Sequence, residues 1–440
     1  MRRLSNTRGA MLIQVGISIA MLMGFAVFVI DYGVVWLART QAQNAADASA
    51  LSGAVSRAFD EFANPPAAGG MTEQATRLAA AEHEVFGAAV APASVGVSYA
   101  CPPFVTGGGC VQADIFRNGT NGTANLPVFF GPLLGITSQG TRATATAQAQ
   151  AANAVECMKP WAVMDKWSDA QDSPWTQGSI YAPASGDTYV APYGSNVTTG
   201  FSNKDANGNP VDAGRQMILK MNHPGVQNPT AGQWGAGWAL ALDLGPPVTP
   251  PPGGGGPYYD TIAGCTSDTV VIAAQNQTCA GGPNPTLGCL AVETGAMGGG
   301  NGGPTFQGVD AILDRDEDAY WDSTANAIAG SSSTTGTSPR VVPLALIDPH
   351  HYITQPNANG NNGIVKVVNI VGFFVEGICP SGGGGGGNTP SFPIVAAPAG
   401  PGTCEPGAVI GRLLSFPASL AIGGSAPTAA SFGQVIRLVR

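Results

Sequence analysis

Residues 10–30 (AMLIQVGISIAMLMGFAVFVI) hold no charged side chain and no proline. At about 1.5 Å of rise per residue, a helix of this length matches the ~30 Å hydrocarbon core of a bilayer. Helix-compatible sequence continues through Val34, Val35, Trp36 and Leu37, so the pattern predicts one membrane-spanning helix over 10–37. A cleaved secretory signal carries a shorter apolar region, roughly 7–15 residues, ending at a small-x-small site; this stretch is too long and is expected to be retained. Arg2, Arg3 and Arg8 precede it and Asp31 follows it, which predicts residues 1–9 in the cytoplasm and the bulk of the chain outside. Tyr32 and Trp36 suit a membrane–water boundary, where Asp31 also costs little.

Beyond the apolar stretch the chain is alanine-rich and free of proline until Pro65-Pro66, which predicts an extracytoplasmic extension of the same helix over 38–63. Along it Ala38, Ala42, Ala45, Ser49 and Gly53 recur at close to helical spacing, a narrow seam of small residues. Two occupants fit such a seam: another helix, or the protein's own folded part. Thr72 is placed to cap a short helix running to Phe86, with Gly87 as its stop. Short β-like runs follow at 95–99, 111–116, 127–130 and 141–150, making 72–155 a small α+β region. From 157 to 440 the pattern reads as a larger, mostly β domain with strands at 216–221, 238–244, 269–273, 341–347, 364–376 and 409–416. Stretches 245–256 and 381–388 are so rich in Gly and Pro that they are expected to be mobile loops. The fold class expected is α+β.

Charge changes the picture mainly by exclusion. Charged residues are 11% of the chain and the net charge is -9, so no basic stripe is available to neutralise phosphates and nucleic acid is not an expected partner. The cysteines form no C-x-x-C pair of the kind structural zinc sites use. Cys101 and Cys110 bracket a Gly-rich turn, Cys265, Cys279 and Cys289 crowd one loop region, and Cys379 and Cys404 flank a Gly-rich insertion. An even count in loops predicts disulfides and an oxidising compartment, with connectivity left open.

The densest charge lies between Asp310 and Asp322, where Asp314, Asp316, Asp318 and Asp322 alternate as the hard oxygen ligands of a calcium loop do. Ala319 and Ala325 stand where such a loop carries Gly and Glu, so calcium is a candidate set against a solvated acidic helix end. His350-His351, beside Asp348, would point to opposite faces if strand-borne and so make a poor joint ligand. No G-x-S-x-G, H-E-x-x-H or phosphate-binding loop is present, so neither an enzymatic activity nor a small-molecule substrate is expected.

The run Arg8-Gly9-Ala10, the apolar span, Asp31-Tyr32-Gly33 and then Gln43-Asn44-Ala45-Ala46-Asp47-Ala48-Ser49-Ala50-Leu51-Ser52-Gly53-Ala54 resembles the N-terminal signature of TadE/TadG-like proteins of tight-adherence (Flp) pilus assembly. Gly9, Asp31, Gly33, Gln43, Asn44, Asp47 and Leu51 are the positions that carry it. Weaker likeness extends to Leu126–Phe130, Gly135–Ser138, Ala143–Ala147, Cys157–Ala162, Ser338–Pro343 and Val435–Arg440. The resemblance implies a pseudopilin-like arrangement, a long helix against a small sheet, in an accessory or minor pilus-assembly component of the bacterial inner membrane. It implies partners among other pilin-like or secretion-system envelope proteins. Two features depart from the wider pattern. Gln14 stands where pilin-like relatives carry Glu, and no Asp-x-Ser-x-Ser run marks a von Willebrand factor A metal site. A free-standing envelope adhesin or scaffold sharing only the anchor is the alternative reading, and an envelope enzyme using the acidic cluster at Asp314 and Asp316 is the alternative of another class.

Overall fold

The computed structural model describes residues 7–59, 65–105, 108–171, 174–193, 199–203, 211–219, 234–235, 239–244, 257–266, 268–279, 287–292, 302–333, 338–354, 363–379, 408–416, 421–423 and 432–439. The loops 245–256 and 381–388, and Cys404, lie outside them. The chain is α+β: a long N-terminal helix followed by a larger sheet-rich region. It divides into two compact units, one of residues 1–149 with 436–440, the other of residues 150–435. The boundary expected at 155/157 thus falls a few residues earlier, and the C-terminal residues join the first unit.

In the first unit a single helix, α1 (Thr7–Phe59), carries both the apolar stretch and its extension. It is long and apolar enough to cross a membrane, and none of its most apolar window is buried in the protein. From Val34 onward its character changes: Ala38, Ala42, Ala45, Ala46, Ala50 and Ala54 are buried. They pack on α2 (Met71–Ala81) and on an antiparallel sheet whose order is β1 (Gly96–Ser98), β2 (Cys110–Arg117) and β3 (Thr141–Val155). The sheet offers Ala113, Ile115, Ala143, Ala145 and Ala147 to the helix, so small side chains meet small side chains and the layers approach closely. The C-terminal strand Gln434–Val439 pairs with β3. Two expectations are corrected. Gly70, not Thr72, caps α2, and the helix stops at Ala81 before a two-residue hairpin turned by Phe86 and Gly87, both at positive φ. Residues 127–130 form no strand, because Pro127 has no N–H to give a ladder and those of Phe129 and Phe130 go to Asp31; they begin a loop closed by a lone bridge between Leu126 and Gln139.

The second unit is built on a mixed sheet: β4 (Trp161–Met164), β5 (Gln216–Leu219), β6 (Ala239–Ala241), β7 (Cys289–Ala291), β8 (Val341–Ile347), β9 (Ile364–Ile378) and β10 (Val409–Leu414). Its order is β6–β4–β8–β9–β10–β5, with β7 also on β9; β4 and β8 run parallel and the other pairs antiparallel. β8 is buried along its whole length and β9 along most of it, the near-continuous apolar runs expected of strands covered on both faces. The helices α3 (Pro257–Ala263) and α4 (Gly302–Leu313) contribute Ile262, Val309, Ile312 and Leu313 to this core.

Candidate functional site

The residues of the N-terminal signature act where α1 leaves its exposed apolar stretch and enters the folded part of the first unit. At Asp31 the helix meets the loop after Leu126. The Asp31 carboxylate accepts backbone hydrogen bonds from Phe129 (2.9 Å), Phe130 (3.1 Å) and Gly131 (2.7 Å), satisfying N–H groups at the start of the 3-10 turn Gly131–Leu134. Gly131 leaves little room there: a Cβ would stand 2.4 Å from Val128 Cγ1 and 3.0 Å from the Ile136 carbonyl, so any larger residue requires the loop to shift.

Three turns further on, Gln41 accepts a 2.7 Å bond from the Phe86 N–H, fastening the strained Phe86-Gly87 turn to the helix. Gln43 donates to Asp47 (2.8 Å) and, more weakly, to the Thr144 carbonyl on β3 (3.4 Å). Leu51 packs on the core, whereas Asn44 and Gly33 are exposed. The seam is filled by the protein itself. Ala38, Ala42, Ala45, Ser49 and Gly53 are all buried within the unit, so of the two occupants open to it the protein's own folded part is the one found. At Gly53 a Cβ would lie 2.1 Å from Thr76 Oγ1 and 2.7 Å from Val111 Cγ1, so α1 lies close against both α2 and β2 here.

The acidic run is dispersed. Asp314 and Asp318 are exposed, while Asp316 turns inward and accepts from Ser331 Oγ (2.6 Å), Ser332 N (2.9 Å) and Ser338 Oγ (2.6 Å). Burial alone would push the Asp316 carboxyl up; these bonds outweigh it and hold it below the usual range. Asp322 caps its own turn through Thr324 and Ala325. Among the described residues no three His, Cys, Asp or Glu side chains converge as a metal cage would need. The alternation that suggested calcium is that of a turn with one acid in and its neighbours out.

His350 and His351 lie not on a strand but in the short helix Pro349–Thr354, capped by Asp348 through the His351 N–H (2.9 Å). His350 Nδ1 meets the Tyr181 hydroxyl at 3.1 Å. Just after β4, Asp165 is fully buried and accepts from Phe201 N (2.6 Å), Lys166 N (2.9 Å) and Tyr189 Oη (2.9 Å). Burial pushes it up to about 7 against those bonds. Asp187 and Asp212 likewise accept backbone N–H groups, so this buried acid set fastens loops to the sheet.

Cysteines pair as Cys101–Cys110, Cys157–Cys265 and Cys279–Cys289, and Cys379 is also disulfide-bonded. Reasoning from loop spacing grouped Cys265 with Cys279 and Cys289 and passed over Cys157, whose partner is 108 residues away. Gln41, Thr76, Val111 and the 129–131 backbone were also missed: each matters only through what α1 presses against it.

Residues 9–56 match the model of the Flp pilus-assembly TadE/G-like family. The match spans α1 almost from end to end and contains Asp31, Gln43, Asp47 and the whole small-residue seam. No curated protein and no solved structure matches the chain.

Proposed function

We propose that the chain is a membrane-anchored, non-enzymatic component of a Flp pilus-assembly system. In this reading it is an accessory or minor pseudopilin-like protein that works by binding other envelope proteins. The observation that carries it is the coincidence of the family match at 9–56 with one unbroken helix, apolar and exposed at one end and docked on an α+β unit at the other. That layout suits a part that must be held at a bilayer while presenting a folded body. The anchor would sit in the inner membrane with Arg2, Arg3 and Arg8 inside and both compact units outside, where the disulfides are stable.

Because the seam is used within the unit, contacts with pilin-like partners fall to the exposed apolar part of α1 and to the surfaces of the second unit. In-cell crosslinking followed by co-purification tests the reading: recovery of other pilus-assembly proteins is expected, and recovery of none overturns it. Protease accessibility in spheroplasts tests the topology, with the second unit expected to be cleaved. Protection of that unit until the cells are lysed would reverse the orientation.

A further inference from the structure

The loop between Leu126 and Gln139 is built unlike the rest of the first unit. No charged residue occurs from Asn118 to Thr141, and the loop's largest side chains point outward: Phe129 is 57% exposed, Phe130 37% and Ile136 51%. It is nevertheless held firmly. Leu126 N–H donates to the Gln139 carbonyl (2.9 Å), Ile136 N–H to the Gly131 carbonyl (2.9 Å), and the tip is bound through three N–H groups to Asp31. Exposed aromatic groups on a rigid, uncharged loop are an apolar surface prepared for something.

Asp31 says what covers it. It is the first charged residue after the 10–30 stretch, and the side chains just before it, Phe28, Val29 and Ile30, are exposed on the helix. The loop is therefore tied to the point where an apolar helix leaves a bilayer. Exposed Tyr32 and Trp36 mark the same level on α1, as aromatic belts do. Resting on the anchored reading above, we propose that Phe129, Phe130 and Ile136 enter the headgroup–acyl boundary of the membrane that α1 crosses. The loop is then a second, interfacial foot, and Asp31 is the residue that places it. A helix alone leaves anchor and body free to tilt and turn together in the bilayer; a foot tied at the boundary sets that tilt and rotation.

The test places photoreactive benzoylphenylalanine at single positions of the full chain in phosphatidylethanolamine–phosphatidylglycerol vesicles containing an alkyne-tagged lipid. Phe28 reports the anchor, Phe130 the foot, and exposed Leu78 on α2 the remote surface. Leu78 neighbours Thr76, which meets Gly53, and Gly53 lies about 33 Å along the helix from Asp31. Lipid adducts are expected at Phe28 and Phe130 and not at Leu78. Adducts at Phe28 without adducts at Phe130, or protein adducts there instead, overturn the foot and leave the anchor standing. No adduct at Phe28 removes the anchor and the foot together, and equal yields at Phe130 and Leu78 also overturn the proposal. With Asp31→Ala, the Phe130 yield is expected to fall several-fold while the Phe28 yield holds; an unchanged Phe130 yield refutes the placing role of Asp31.

Discussion

Replacing Gly53 by alanine sets local helix propensity against packing, and the structure decides which prevails. In a helix interior Gly costs about 0.5–1 kcal/mol relative to Ala, so on local grounds Gly53→Ala should stabilise. The new Cβ, however, would stand 2.1 Å from Thr76 Oγ1 and 2.7 Å from Val111 Cγ1. Neither neighbour is free to yield: Thr76 is fully buried with its hydroxyl bonded to the Thr72 carbonyl (2.7 Å), and Val111 is fully buried on β2. Overpacking of this kind costs about 1–3 kcal/mol. Setting the propensity gain against it gives a range from about 0 to 2.5 kcal/mol; with neither neighbour free to yield the upper half applies, a loss of about 1–2.5 kcal/mol or about 2–10 °C in the unfolding midpoint of a unit this size. Scanning calorimetry of the full chain in detergent micelles measures it, with hydrogen exchange of α2 amides as the local reporter. Gly33→Ala is the control, since nothing lies within 4 Å of where its Cβ would stand, and it should match or exceed the wild type. Adding Thr76→Ala to Gly53→Ala should recover part of the loss, because the two positions touch. A Gly53→Ala midpoint at or above wild type refutes the close-approach argument.

Four further outcomes follow from the second unit and from the disulfides. Asp165, pushed up from 3.8 to about 7, keeps a proton in the folded chain where the unfolded carboxyl has lost it. Stability from this group is complete below about pH 4 and is lost as pH rises through about 7, so Asp165→Asn should flatten denaturant midpoints across that window; an unchanged slope refutes it. Lys159, lowered from 10.5 to about 7 by burial and then by Arg315, acts in the next window: its penalty is relieved as pH rises from about 7 to about 10.5, and Lys159→Met should abolish that rise. Removing Cys157–Cys265, separation 108, should cost roughly 5 kcal/mol in the chain-entropy limit against roughly 2.5 for Cys101–Cys110, separation 9; equal midpoint losses for the two paired Cys→Ser variants would contradict this. Added calcium should leave the thermal midpoint unchanged, because Asp316 is already satisfied by serines; a rise would restore the calcium loop.

What could be read in the sequence was whatever local pattern alone decides. The uninterrupted apolar run and the proline-free alanine stretch predict one continuous helix, and that is α1. The β-branched runs at 341–347 and 364–376 are strong enough to mark β8 and β9. The illegible part lay in contacts between distant segments. Residues 127–130 have strand-like composition, yet Pro127 and a carboxylate 98 residues from Phe129 make them a tethered loop. Thr72 has the right chemistry for a cap and sits buried inside the helix instead, because Gly70 takes the turn. The acid alternation at 314–322 and the cysteine pairing depended in the same way on partners that spacing does not name, Ser331 and Ser338 for Asp316 and Cys265 for Cys157.

The seam shows why a helix signature can be misassigned to a partner. Small residues at helical spacing are what two helices need to approach in a membrane, but they are equally what one helix needs to lie flat on a sheet of alanines. The two uses differ in what surrounds the seam. The second use is the one found along the extension of α1: burial begins at Val34, three residues after Asp31 takes hold of its loop, and persists to Ala58. The signature positions Asp31, Gln43, Asp47 and Leu51, with Gly53 of the seam, thus join the apolar part of α1 to the folded body, through hydrogen bonds at Asp31 and close packing beyond it. A rigid junction passes any force or rotation applied to the membrane helix into the α+β unit without loss in a hinge. In the assembly role proposed above, that stiffness rather than a binding groove is what the matched segment supplies, and partner choice is left to the surfaces the signature does not reach.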